Sequence, residues 1–224
     1  MASILLAFAI DAWWAERLER TAEREELSRL YDEFKLNHDR LSVWISDGGI
    51  VYQQREAALQ LSETLGAALK DGAESVLLPD RQLAAIIRTP TFEARMSVFD
   101  GLVQSGRIEI IENRRIVRGI TSWEGVLRSA NDEEQRGLRF VYDQLFPVLA
   151  TDNDIQHILK MYAIDIRPQN PIPIAPGQVT EIKVTPLLAN AAAQRYSQIQ
   201  VIHSFLTDIR DGAAKIMSEI ESSI

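Results

Sequence analysis

Cysteine is absent from this chain of 224 residues. Disulfides, thiol catalysis and cysteine-ligated zinc are thereby excluded, and no compartment is chosen by that absence. A basic surplus is missing too. Lys and Arg total 24 against 32 Asp and Glu, a formal net charge of -8. Phosphate binding wants a basic face, so nucleic acid is not expected as a partner. Broad adsorption onto anionic lipid is disfavoured for the same reason. Catalytic signatures are also missing. There is no Gly-x-Ser-x-Gly and no glycine-rich phosphate loop, and neither Asp-Gly-Gly nor Asp-Gly-Ala is followed by Lys-Ser or Lys-Thr. No internal repeat or low-complexity segment is visible, and no cofactor is implied.

What remains is ordinary material for a folded protein. Hydrophobic residues make up 46% and charged residues 25%, close to a soluble globular average, so a packed core is feasible. The length suits one large domain or a domain with an extension.

The opening is less ordinary. Residues 4–10 are an apolar run, Ile4, Leu5, Leu6, Ala7, Phe8, Ala9 and Ile10, stopped by Asp11. A spanning helix needs roughly 20 apolar residues, so this run cannot cross a bilayer alone. The basic start of a signal peptide is missing. Trp13 and Trp14 follow, and paired indoles favour the boundary between hydrocarbon and water. Glu16, Arg17, Glu19, Arg20, Glu23 and Arg24 then make a solvated helix face. Two readings stand. The stretch is the last half of a spanning helix leaving a membrane, or a greasy helix buried in the protein's own core or in a dimer. On the first, Ile4, Leu5, Leu6, Phe8, Ile10, Trp13 and Trp14 form the membrane interface.

The segment "LLAFAIDAWWAERLERTAEREELSRLYDEFKLNHDRL" resembles a family of uncharacterised bacterial membrane proteins. The family pattern is one N-terminal span ending in Asp/Asn-x-Trp-Trp-x-Glu-Arg, then a charged helix with Leu-x-x-Leu, Glu-Phe, Asn and Leu. The matching residues are Asp11, Trp13, Trp14, Glu16, Arg17, Leu27, Leu30, Glu33, Phe34, Asn37 and Leu41. Weaker echoes fall at "PTFEARMSVFDGLVQSGRIEII" and "NAAAQRYSQI". The resemblance is specific over about the first 45 residues and loose beyond them. It implies a bacterial membrane location and an architecture, and no activity. The first half of the expected span is missing, and about 8–12 further apolar residues upstream of Met1 would complete it. Arg17, Arg20, Arg24 and Arg29 beside the anchor favour the cytoplasmic side, and upstream charges could reverse that.

The expected fold class is all-α: long antiparallel helices in an elongated bundle with coiled-coil character, crossed by one proline-rich strap that can hold a short hairpin. The segments are 1–16, anchor or interfacial helix; 17–72, a seam helix or kinked helix pair; 73–164, a helical core; 165–186, the strap; and 187–224, a long C-terminal helix. In the first helix Leu27, Tyr31, Phe34, His38, Leu41 and Ile45 alternate steps of four and three, as in a coiled-coil seam. "SDGG" at 46–49 is a kink or a tight turn. The stripe resumes through Val51, Ala58, Leu61, Leu65 and Ala68 and stops near Gly72, a helix C-cap. Asp80 is placed as the N-cap of a short helix closed before Pro90. Phe92, Met96, Phe99 and Val103 read as one buried helix face, as do Ile116, Ile120, Trp123 and Leu127. Asp132, Glu133 and Glu134 read as a polar turn opening the next helix. That helix turns Leu138, Val141, Leu145 and Leu149 inward, and Pro147 should bend it. Five prolines and a glycine forbid helix over 165–186, where "QVTEIKV" alternates like one strand. The last helix carries a continuous stripe: Leu188, Ala192, Arg195, Ile199, Ile202, Leu206, Ile209, Ala213, Ile216 and Ile220.

Few residues offer chemistry. His38, in the first seam, reads as a register-setting polar residue rather than a metal or pH-sensing group. Asp154 and His157 stand three apart, as in half of a bundle di-metal site. A second such pair is missing, and His203 or Glu33 could join only by coincidence of folding. Asp154 as a helix cap and His157 at the surface is the preferred reading. Asn190 and Arg195 read as polar groups just inside an apolar stripe. Buried there, each must find loop carbonyls or a carboxylate, pinning the strap or binding a ligand.

Three functions are therefore carried forward. The first is a membrane-tethered helical scaffold or interaction module without catalysis, whose partners are the bilayer through its N-terminus and a protein or second copy through its seams. The second is a sensor that binds a small ligand or senses a partner in a pocket beneath the strap, lined by some of Arg195, Trp123 and residues 165–186. The third is a metal-dependent enzyme around Asp154 and His157.

Overall fold

A computed structural model describes residues 2–156, 158 and 177–224. The fold is all-α, a set of long helices packed on one another. Their order is α1 (Ala2–Ile45), α2 (Ile50–Lys70), β1 (Ser75–Pro79), α3 (Asp80–Ile87), α4 (Ser97–Gln104), α5 (Arg114–Phe140), α6 (Phe146–Asp152), β2 (Val179–Lys183) and α7 (Pro186–Glu221). A 3-10 turn at Arg107–Ile110 follows α4, and a π segment at Val141–Leu145 separates α5 from α6. The chain divides into two compact units. One is Met1–Arg40, Ala94–Gly125 and Ile209–Ile224; the other is Leu41–Glu93 and Val126–Asp208.

Helix α1 is built from strong helix formers, Ala, Leu, Glu and Arg, with an i,i+4 pair between Glu16 and Arg20 and another between Lys35 and Asp39 at 2.6 Å. It ends at the glycine pair. Gly48 has φ +80°, and a Cβ on Gly49 would collide with the carbonyl oxygens of Val43 and Trp44. The 46–49 segment is therefore a turn between two helices, closed by Gly49 N–H donating to the Ser46 carbonyl at 2.8 Å. Helix α2 ends as the glycine at position 72 foretold. Gly72 has φ +70°, Ala73 N–H donates to Ala68 O at 2.9 Å, and Gly72 N–H to Leu69 O at 3.4 Å, a Schellman closure.

In the first unit the core is Leu27, Leu30 and Phe34 of α1 with Phe99, Leu102, Ile111, Ile116, Ile120, Trp123, Ile209, Ala213, Ile216 and Ile220, all buried. The Phe34 and Trp123 rings meet edge to face at 4.9 Å, and the indole N–H donates to the Ile209 carbonyl at 2.6 Å. Gly212 makes room for that indole: a Cβ there would lie 2.7 Å from Trp123 Cδ1. In the second unit Leu61 and Leu65 of α2, Leu83, Ile86 and Ile87 of α3, and Phe140, Val141 and Leu145 share one cluster with Leu188, Ala192 and Ile199 of α7. Each fully buried aliphatic chain contributes about 1.5–3 kcal/mol.

The expected stripes of α2 and α7 are buried at every named position. The stripe of α1 is rotated from the expected one. Leu27, Phe34, Leu41 and Ile45 are buried, but Tyr31 and His38 are only half-buried, and Leu30, Asn37 and Trp44 take the inward places. Leu127 and Leu138 are likewise only half-buried. Three further expectations are corrected. Residues 132–134 are no turn but lie inside the unbroken α5. Phe92 is buried yet precedes α4, and Val103 is exposed, so 92–103 is not one helical face. Asp80 is not a cap; it is the first residue of α3, buried, accepting the Thr180 hydroxyl at 2.6 Å.

The strand reading of 179–183 holds, but its partner is distant. β2 pairs antiparallel with β1, Ser75 opposite Lys183 and Pro79 opposite Val179, so this is not a hairpin within the strap. Loop-closure entropy grows slowly with length, so pairing across a long separation is affordable once helices hold the ends. A π segment at Val141–Leu145 lies just before Pro147, where a bend was expected. Proline supplies no N–H and its ring crowds the preceding turn, and the wider π turn accommodates both. Most of the strap, and His157, lie outside the described residues.

Candidate functional site

Helix α1 is exposed to solvent over residues 9–20. Ile10 (55%), Trp13 (54%), Trp14 (55%) and Leu18 (58%) lie within one broad face of the helix. The two indoles are 5.9 Å apart, and the Arg17 guanidinium sits 5.5 Å from the Trp13 ring. The indoles are therefore not sealed in the protein's own core. The side chains of Ile4, Leu5, Leu6 and Phe8 lie outside the described residues. No helix among the described residues is long and apolar enough to cross a membrane.

Buried polar side chains hold the irregular chain between α3 and α4. In the second unit Arg195 of α7 is fully buried. Its Nε donates to the Ile86 carbonyl at 2.7 Å, and its Nη2 to the Arg88 carbonyl at 2.6 Å and the Thr89 hydroxyl at 3.1 Å. The predicted chemistry, loop carbonyls, is observed, and these carbonyls belong to residues 86–89. Glu134 of α5 accepts the Phe92 N–H at 3.0 Å. In the first unit Asn37 reads the backbone of Arg95 in both directions, donating to its carbonyl at 2.8 Å and accepting its N–H at 2.9 Å. Glu33, one turn earlier, accepts from Val98 N–H at 2.8 Å, Phe99 N–H at 3.2 Å and the Ser97 hydroxyl at 3.1 Å. The start of α4 is thus capped by a carboxylate from α1.

Several expected candidates do not join a site. Asn190 is exposed on α7, because it points away from the stripe that holds Leu188 and Ala192. Trp123 is buried in the first unit's core, and Arg195 is buried against the Ile86 and Arg88 carbonyls in the second. His38 is half-buried, its Nδ1 3.1 Å from Asp39 Oδ1. Asp154 accepts the Gln156 N–H at 3.2 Å in a local Asx turn, and the helix it was expected to cap lies outside the described residues. No cluster of three potential metal ligands occurs among the described residues.

A cavity of about 530 Å³ lies in the second unit, walled by the end of α1, by α2 and by α3. Trp44, Ile50, Tyr52, Ala57 and Ala85 supply its apolar wall. Its polar groups include Gln54, Gln82, Arg81 and Arg88. Gln82 donates to the Ala57 carbonyl at 3.1 Å, Gln53 to the Gly48 carbonyl at 2.7 Å, and Arg81 to Gln53 Oε1 at 3.3 Å, which fixes the frame. Gln54 is buried at 2% exposure, and among the described residues its Oε1 accepts no hydrogen bond. Sequence reading passed over this residue. The signal was present: Val51, Gln54, Ala58, Leu61, Leu65 and Ala68 keep seam spacing, so Gln54 is a polar residue on a buried line.

No protein-family model, no curated protein and no solved structure matches this chain.

Proposed function

We propose that the protein is a membrane-tethered helical interaction module of bacterial origin, attached to lipid through the N-terminal part of α1 and acting by contact. The observation that carries this reading is the exposure of Ile10, Trp13, Trp14 and Leu18 on a helix whose later turns are packed. Four large apolar side chains left in water on one face are otherwise unfavourable, and an interfacial position covers the indoles while leaving the Glu and Arg face wet. Contact rather than catalysis is supported by where the buried polar groups go. Glu33, Asn37, Glu134 and Arg195 all engage backbone groups, which is structural employment.

The test is flotation with phosphatidylcholine vesicles. The protein should rise with the lipid. Trp13→Ala with Trp14→Ala should weaken that partition at least tenfold without altering the unfolding temperature, since neither indole supports a core. A protein that stays in the aqueous fraction, or a double variant that floats as well as the parent, contradicts the reading. If the double substitution instead dissolves a dimer seen by sedimentation, the indoles serve self-association.

A further inference from the structure

The cavity beside α2 poses a separate question, independent of lipid attachment. We propose that it binds a small carboxylate carrying an N–H or O–H donor and a flat apolar body. Volume, charge and hydrogen-bond demand each contribute to that assignment.

About 530 Å³ lies within the range of small-molecule sites, which combine apolar walls with a few placed polar groups. Trp44 and Tyr52 provide ring surface on which a flat body can pack. Trp44 is itself steadied by Phe92, whose ring lies 5.9 Å away at 84°.

Charge selects an acid. The chain carries a net charge of -8, yet the Arg81 guanidinium lines this cavity. Among the described lining residues the one carboxylate, Glu56, is paired with Arg55 at 3.2 Å, and the Arg55 guanidinium also lies 5.1 Å from the Tyr52 ring. A positive lining on an acidic protein concentrates small anions locally. Arg81 gives one N–H to Gln53 and keeps the rest of its donor fork at the mouth.

Gln54 selects the donor. A buried acceptor without a hydrogen bond is unfavourable, and an aliphatic side chain at that seam position would serve the core better. An N–H or O–H on the ligand would satisfy Oε1. The carboxylate would meet Arg81, and the ring would face Trp44 and Tyr52.

The experiment uses the full chain with hippurate and indole-3-acetate, each a ring with an N–H donor and a carboxylate, beside their neutral amides. Both acids should raise the unfolding temperature in a saturable, concentration-dependent way, and the amides should bind at least tenfold more weakly. Gln54→Leu should raise the ligand-free unfolding temperature and weaken both acids at least tenfold. Arg81→Gln should leave folding intact and remove most of the preference for acid over amide. The proposal is overturned if neither acid stabilises the protein, if the amides bind equally well, or if both variants bind the acids like the parent.

Discussion

Glu134 sits in the middle of α5 with 4% of its surface exposed. Burial pushes its carboxyl up to about 7; Glu93 adds to the rise, and the Phe92 N–H opposes it. The sign of the consequence follows from linkage. The folded chain holds this proton at pH values where the unfolded chain has lost it. The associated stability is fully present below the unfolded value of 4.5 and is lost as pH rises to about 7. Glu134→Gln keeps an oxygen for the Phe92 N–H and removes the charge. It should stabilise the protein at pH 8 by roughly 1–3 kcal/mol and flatten stability between pH 5 and 7. Urea unfolding at several pH values measures this, and parallel profiles for the two proteins would refute it. The residue's role was hidden in the sequence because three acidic neighbours, Asp132, Glu133 and Glu134, read as one polar turn. The fold separates them, leaving Asp132 exposed and burying Glu134.

At the scale of elements, helix stripes were the most legible feature and their rotation the least. The α7 stripe holds over all ten named residues because successive aliphatic residues leave one choice of face. In α1 two neighbouring lines both keep steps of three and four. Leu27, Phe34 and Leu41 belong to both, so only packing decides between Tyr31 and His38 on one side and Leu30, Asn37 and Trp44 on the other. Asn37 joins the buried line because the Arg95 backbone satisfies its amide. The short α4 likewise owes its start to Glu33, which its own sequence does not contain. Glu33→Gln, which replaces an accepting oxygen with a donor, should destabilise by about 1–3 kcal/mol, and Asn37→Leu by a similar amount despite its greater apolarity. Chemical denaturation of the two variants checks this. A neutral or stabilising Asn37→Leu would reduce Asn37 to a tolerated polar residue.

For the whole molecule the contrast lies within α1. Residues 27–45 bury Leu27, Leu30, Phe34 and Leu41, whereas residues 9–20 are exposed throughout. Helical hydrogen bonds without side-chain packing are marginal in water. Amide exchange in free protein should therefore be faster by orders of magnitude over 9–20 than over 30–41, and phosphatidylcholine vesicles should slow the first set selectively. Equal protection in both stretches without lipid would mean that another surface already covers the N-terminal turns.

The sequence by itself determined the class of fold, the end of α2 at Gly72, and the lines of α2 and α7 that face inward, and it left 46–49 open between a kink and a turn. These are local matters of backbone freedom and of the period at which apolar residues recur. Tertiary structure alone decided what the polar residues on those lines do. Asn37, Gln54, Glu134 and Arg195 are each a polar side chain at an inward position. Three of them close on backbone groups far away in the chain, and Gln54 opens on a cavity. A buried hydrogen-bonding group acquires its meaning from its partner, and the partner is a matter of position in space rather than of spacing along the chain.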